Sequence, residues 1–154
     1  MYAKKLYLKA VVKYNGKERS LIMKLSNLFV LNTIVALIFA VALLLAPKPI
    51  LGLFGISVGS GVTANASMNF VTQLLGAALV VPALVSWFAR EMTEASAQTA
   101  IARSLLVFEI IGLAISLLGM LSKVMATTGW GIVGLFLFFT VGYVYFLFLK
   151  QSQI

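Results

Sequence analysis

The chain has no cysteine and no histidine. Without cysteine there is no disulfide, no thiolate nucleophile and no cysteine-held metal. Without histidine the commonest general base, the usual haem ligand and most zinc sites are excluded as well. Acid is scarce: four carboxylates, Glu18, Glu91, Glu94 and Glu109, stand against twelve lysines and arginines. Only carboxylates and tyrosines remain for acid–base work, and no catalytic constellation is visible. The expectation is a protein that is not an enzyme and holds no metal and no cofactor.

What the chain does have is apolar length. It is 62% hydrophobic and 10% charged over 154 residues, with a mean hydropathy of +1.06. A soluble domain is roughly half apolar and about a quarter charged. A water-soluble fold of this size could not bury so much apolar surface, so a one-domain membrane protein is expected. The net charge of +8 would suggest nucleic acid in a soluble protein. Here the basic residues lie where membrane topology places them, and no nucleic acid is expected.

Four uncharged or nearly uncharged runs are long enough to cross a bilayer: about 27–46, 68–88, 101–121 and 130–149. Twenty helical residues rise ~30 Å, about one hydrocarbon thickness. Pro47-Lys48-Pro49 stops the first run. Residues 50–67 are rich in glycine and serine and suit a short interfacial helix followed by a loop. Pro82 falls inside the second run, where a kink is expected. Four spans joined by short connections imply an all-α, four-transmembrane-helix bundle, here with a basic N-terminal arm.

That arm, residues 1–26, carries Lys4, Lys5, Lys9, Lys13, Lys17, Arg19 and Lys24 against Glu18 alone. Leu6, Leu8, Ala10, Val12 and Tyr14 alternate with Lys5, Tyr7, Lys9, Val11 and Lys13, and Asn15-Gly16 follows. This pattern reads as a β-hairpin. Lys5, Lys9, Lys13 and Lys17 are also four apart, which reads as a basic amphipathic helix. The arm suits anionic lipid or an acidic partner, and equally suits a topology signal. With the N-terminus inside, ten of the twelve basic residues lie on the inner side and only Lys48 and Lys123 outside. The positive-inside rule then puts both termini in the cytoplasm and the protein in the cytoplasmic (inner) membrane, with Trp87 at the inner interface and Trp130 at the outer.

Glu109 is the residue around which the interior is read. An ionised carboxylate at mid-span costs several kcal/mol, so Glu109 must be protonated, paired or facing water. Counted from the inner end, its depth falls at Val35 on the first span, with Asn32 and Thr33 within one turn, near Val80 and Pro82 on the second, and near Thr140, Gly142, Tyr143 and Tyr145 on the fourth. Glu109, Gly112, Ser116 and Gly119 share one helix face; Asn32, Ala36 and Ala40 share another; Thr72, Gly76 and Val80 a third. Small residues at this spacing let helices approach closely. The expected interior cluster is Glu109, Asn32, Tyr143 and Ser116. Glu109 is expected to bond Asn32, Tyr143 or the Ala78 carbonyl that Pro82 frees. Two readings stay open: a neutral, hydrogen-bonded packing residue, or a titrating proton or cation site.

Leu45-Ala46-Pro47, Leu51-Gly52-Leu53-Phe54-Gly55, Leu74-Leu75-Gly76-Ala77-Ala78-Leu79 and Gly129-Trp130 together resemble small, uncharacterised four-span bacterial membrane proteins, loosely DoxX-like. The likeness covers residues 27–149. It implies a membrane protein without implying a role. In that pattern an arginine often precedes the Leu-Gly-Ala step, and here Gln73 stands nearby instead. Small multidrug transporters, which the length also invites, carry an essential Glu in their first span, and this first span has none.

The functional expectation is a non-enzymatic accessory or interaction subunit in the bilayer, meeting another membrane subunit or a second copy of itself. The alternative is a small proton-coupled transporter using Glu109.

Overall fold

The computed structural model describes residues 25–55 and 62–149. The proposed hairpin and the lysines of the arm lie outside the described residues. Every regular element among the described residues is helical. In chain order these are α1 (Leu25–Leu45), α2 (Pro47–Leu53), α3 (Val62–Ala89), α4 (Ala95–Leu121) and α5 (Trp130–Val144). A 3₁₀ turn, Thr127–Gly129, leads into α5, and a π-helical turn, Tyr145–Leu149, extends it.

Three boundaries differ from the sequence expectation, each for a physical reason. α1 ends at Leu45, before Pro47-Lys48-Pro49 as expected, but the short helix expected within residues 50–67 begins at Pro47. Pro47 occupies the start of α2, where its missing N–H is not needed. α3 begins six residues before the second apolar run, because a helix does not stop where hydropathy falls. α4 likewise begins at Ala95, so the polar segment 95–100 is its first turn and a half and not loop. α3 runs continuously through Pro82.

The four long helices close into a ring of contacts. α1 meets α3 where Gly76 leaves room: a Cβ there would lie 3.0 Å from the Ala40 carbonyl oxygen. Gln73 Nε2 donates to the Leu44 carbonyl at 3.1 Å on the same seam. α4 meets α5 where Gly112 admits the Phe136 ring, and Phe108 stands edge-on to that ring at 6.4 Å. α5 returns to α1 through Gly142 against Leu28 and through Phe29 and Tyr143, whose rings are 6.1 Å apart. Leu25, Leu28, Phe29, Ala89, Ala102, Leu105, Leu106, Phe139, Tyr143 and Leu147 form the core between them.

The outside is more apolar than water would tolerate. Leu45 is 80% exposed, Leu121 74%, and Phe70, Ile115 and Leu118 65% each. All four long helices are long and apolar enough to cross a membrane, and a bilayer is the solvent that covers such a surface.

The two ends of the bundle are built differently. At one end α3 and α4 join through residues 90–94. There the Gln98 amide donates to the Ala89 carbonyl at 2.9 Å and the Met92 carbonyl at 3.0 Å. The Arg90 guanidinium lies 3.2 Å over the Trp87 ring and 2.8 Å from Glu91. Ser26 donates to the Arg90 carbonyl at 3.2 Å. At the other end, the turn after α2 packs on the loop before α5. Ala126 N donates to the Phe54 carbonyl at 2.7 Å, and Thr128 donates to the Leu53 carbonyl.

Gly55 makes that second contact. Its φ is +72°, and a Cβ would lie 2.4 Å from Ala126 Cβ and 2.8 Å from Ala126 N. Gly55→Ala therefore combines a left-handed backbone with a backbone clash, and should cost about 1–3 kcal/mol. Thermal unfolding in detergent should show a lowered midpoint for Gly55→Ala and none for Gly52→Ala, where the added Cβ meets nothing within 4 Å. Equal midpoints for both would remove this account.

Candidate functional site

The polar interior is built one helix face at a time. On α1, Asn32 and Thr33 are 5% and 3% exposed in an otherwise apolar helix. Asn32 Nδ2 donates to Ser86 Oγ on α3 and to Tyr143 Oη on α5, both at 3.1 Å. Thr33 donates to the Phe29 carbonyl at 2.9 Å within its own helix and to the Ala83 carbonyl on α3 at 3.1 Å. One turn of α1 thus ties together α1, α3 and α5. Burying an amide and two hydroxyls in hydrocarbon is tolerable because they satisfy one another.

Glu109 on α4 is 2% exposed, so it points inward as its helix face implies. It lies within electrostatic reach of the Tyr143 hydroxyl. The expected bond to Asn32 is absent, because both amide hydrogens of Asn32 go to Ser86 and Tyr143. No described residue donates a hydrogen bond to the Glu109 carboxyl. Ser116 is buried on the same face, yet its hydroxyl donates to the Leu113 carbonyl of its own helix at 3.0 Å. It is satisfied locally and carries no bond to the Asn32 group. Pro82 precedes Ala83, whose carbonyl is the one Thr33 reaches.

Ser86, which is fully buried, is the member that sequence reasoning missed. Depth counting pointed to the level of Pro82, one turn short. The signal was available in the face itself: Thr72, Gly76, Ala83 and Ser86 lie on one stripe of α3 and are all buried. Gln98 was missed because its segment was read as loop.

α5 also carries an open apolar groove of about 480 Å³, lined by Gly134, Leu137, Phe138, Val141, Gly142 and Tyr145. Most of these residues face outward, and acyl chains would fill the groove in a bilayer. Among the phenylalanines of this helix, Phe139 is core and Phe138 is exposed, so they pack and face lipid without forming a cage. No group of three His, Cys, Asp or Glu side chains among the described residues could hold a metal ion.

The described residues, all-helical in their regular elements, with four spanning-length helices, an apolar exterior and a small polar tie inside, have the architecture of a multi-pass membrane protein. The chain belongs to a family described as a domain of unknown function (DUF8292), whose model matches residues 4–150. No curated protein and no solved structure matches it.

Proposed function

We propose that the protein is a non-enzymatic accessory or interaction subunit of the cytoplasmic membrane, with both termini on the cytoplasmic side. The observation that carries this reading is the use made of the interior polar groups. Asn32, Ser86 and Tyr143 bond to one another, and Thr33 bonds to backbone. Groups that would line a carrier's pathway instead hold helices together. The concentration of basic residues at the N-terminus supports the orientation, and the same arm offers a surface for anionic lipid or an acidic partner subunit.

A second reading, a proton-coupled carrier, is favoured by Glu109 alone, a buried carboxyl without a hydrogen-bond donor among the described residues. Reconstitution separates the two. Vesicles containing the full chain and a trapped pH dye should dissipate an imposed proton gradient no faster than protein-free vesicles. Faster dissipation that disappears in Glu109→Gln would replace the subunit reading with the carrier.

A further inference from the structure

Three observations meet at the seam between α4 and α5. First, Glu109 is 2% exposed and receives no hydrogen bond from a described residue. The described cations do not neutralise it. Lys48 and Lys123 belong to the opposite end of the bundle, and Arg90 is engaged by Glu91 and Trp87. Arg103 is exposed on the other face of α4. Second, Thr140 Oγ1 on α5 is buried without a partner. The antiparallel register, fixed by Gly112 against Phe136 and by Met120 against Gly129, brings Thr140 level with Glu109. Third, Tyr143, the hydroxyl within electrostatic reach of Glu109, is already paired with Asn32 and Ser86, so it leaves the carboxyl without a donor.

We propose that this seam is a binding site for one monovalent cation, a proton or a sodium ion. Glu109 is the charged ligand and Thr140 the neutral oxygen ligand. One carboxylate balances one positive charge, and a divalent ion would leave a net charge buried in hydrocarbon. The available ligands are all oxygens, which select hard ions over transition metals. With a proton, a Glu109 O–H bond forms and that hydrogen is donated to Thr140 Oγ1. With sodium, both oxygens coordinate the ion and no covalent bond changes. Tyr143 from α5 is the titratable group within electrostatic reach of Glu109; the other polar side chains buried among α1 and α3, Asn32, Thr33 and Ser86, do not titrate. The site stands apart from the proposed function, since a subunit can hold an ion without passing it on.

The test uses the full chain in zwitterionic lipid discs, with choline chloride holding ionic strength constant. In the proton arm, the infrared carbonyl band of a neutral carboxylic acid is followed against pH between about 6 and 9, a range in which water-exposed carboxylates stay ionised. In the sodium arm, the thermal midpoint is followed against sodium chloride at fixed pH. Wild type should respond in one arm, which identifies the ion, and Glu109→Gln should respond in neither. Thr140→Val keeps the side chain's shape and should weaken the response about tenfold or more. A wild type that responds in neither arm overturns the proposal, as does a response that survives in Glu109→Gln. If Glu109→Gln does not fold, Thr140→Val decides: a response equal to wild type overturns the site.

Discussion

Gly112→Val should separate α4 from α5 and cost about 3 kcal/mol, near the upper end of ordinary overpacking penalties. A Cβ at Gly112 would lie 2.2 Å from Phe136 Cε1 and 2.5 Å from Cζ. Phe108 stands edge-on to that ring and limits its movement on one side. The loss should be specific to that ring. Phe136→Ala in the same chain removes the obstacle, so the double variant should be more stable than Gly112→Val alone. Denaturant unfolding in mixed micelles gives both values. A double variant no more stable than the single one would mean that Gly112 serves helix bending or another neighbour instead of admitting Phe136.

Asn32→Leu should be the second large effect. The substitution removes two hydrogen bonds and leaves the hydroxyls of Ser86 and Tyr143 each short of a donor in an apolar core. Interhelical bonds in membranes average roughly 0.6 kcal/mol and reach about 1.7, and stranding buried partners adds to that. A loss of about 2 kcal/mol is expected. Ser86→Ala removes one acceptor and should cost less. In a double-mutant cycle the two losses should fall short of adding, because Asn32→Leu has already broken the bond to Ser86. Full additivity would show that the Asn32–Ser86 contact does not contribute to stability.

Much of this architecture is readable without coordinates, because hydropathy reports directly on the solvent. A helix in lipid must be apolar for its whole length, and only the helix can satisfy its backbone there. The spans near 27–46 and 130–149 needed little adjustment for that reason. Glycine spacing also carried information: Gly76 and Gly112 both lie at helix contacts. The Leu74-Leu75-Gly76 step is where α1 and α3 touch, so packing alone gives it a reason to exist. Helix ends were less legible. The polar turns of α3 and α4 continue past the hydrocarbon, and there hydropathy falls while helicity does not. Which polar groups pair is a question of azimuth and depth together. Counting depth placed Asn32 and Tyr143 together and put Glu109 near them. It passed over Ser86, one turn away. Sharing a helix face with Glu109 added Ser116 to that group, although a serine in a helix can bond its own preceding turn.

The turn between α3 and α4 bears on how the chain sits in its solvent. The last carbonyls of a helix lack intrahelical partners and are ordinarily left to water. Here Gln98 takes two carbonyls of that turn, Ala89 and Met92, with one amide group. The turn thereby depends less on hydration than an open loop would. It can lie at the level of the lipid carbonyls instead of out among the headgroups, with the Arg90 side chain resting on Trp87 as its link to the aqueous side. The closure of this turn by the Gln98 side chain thus bears on how deep the helical pair can sit, a property usually ascribed to the length of the spans alone.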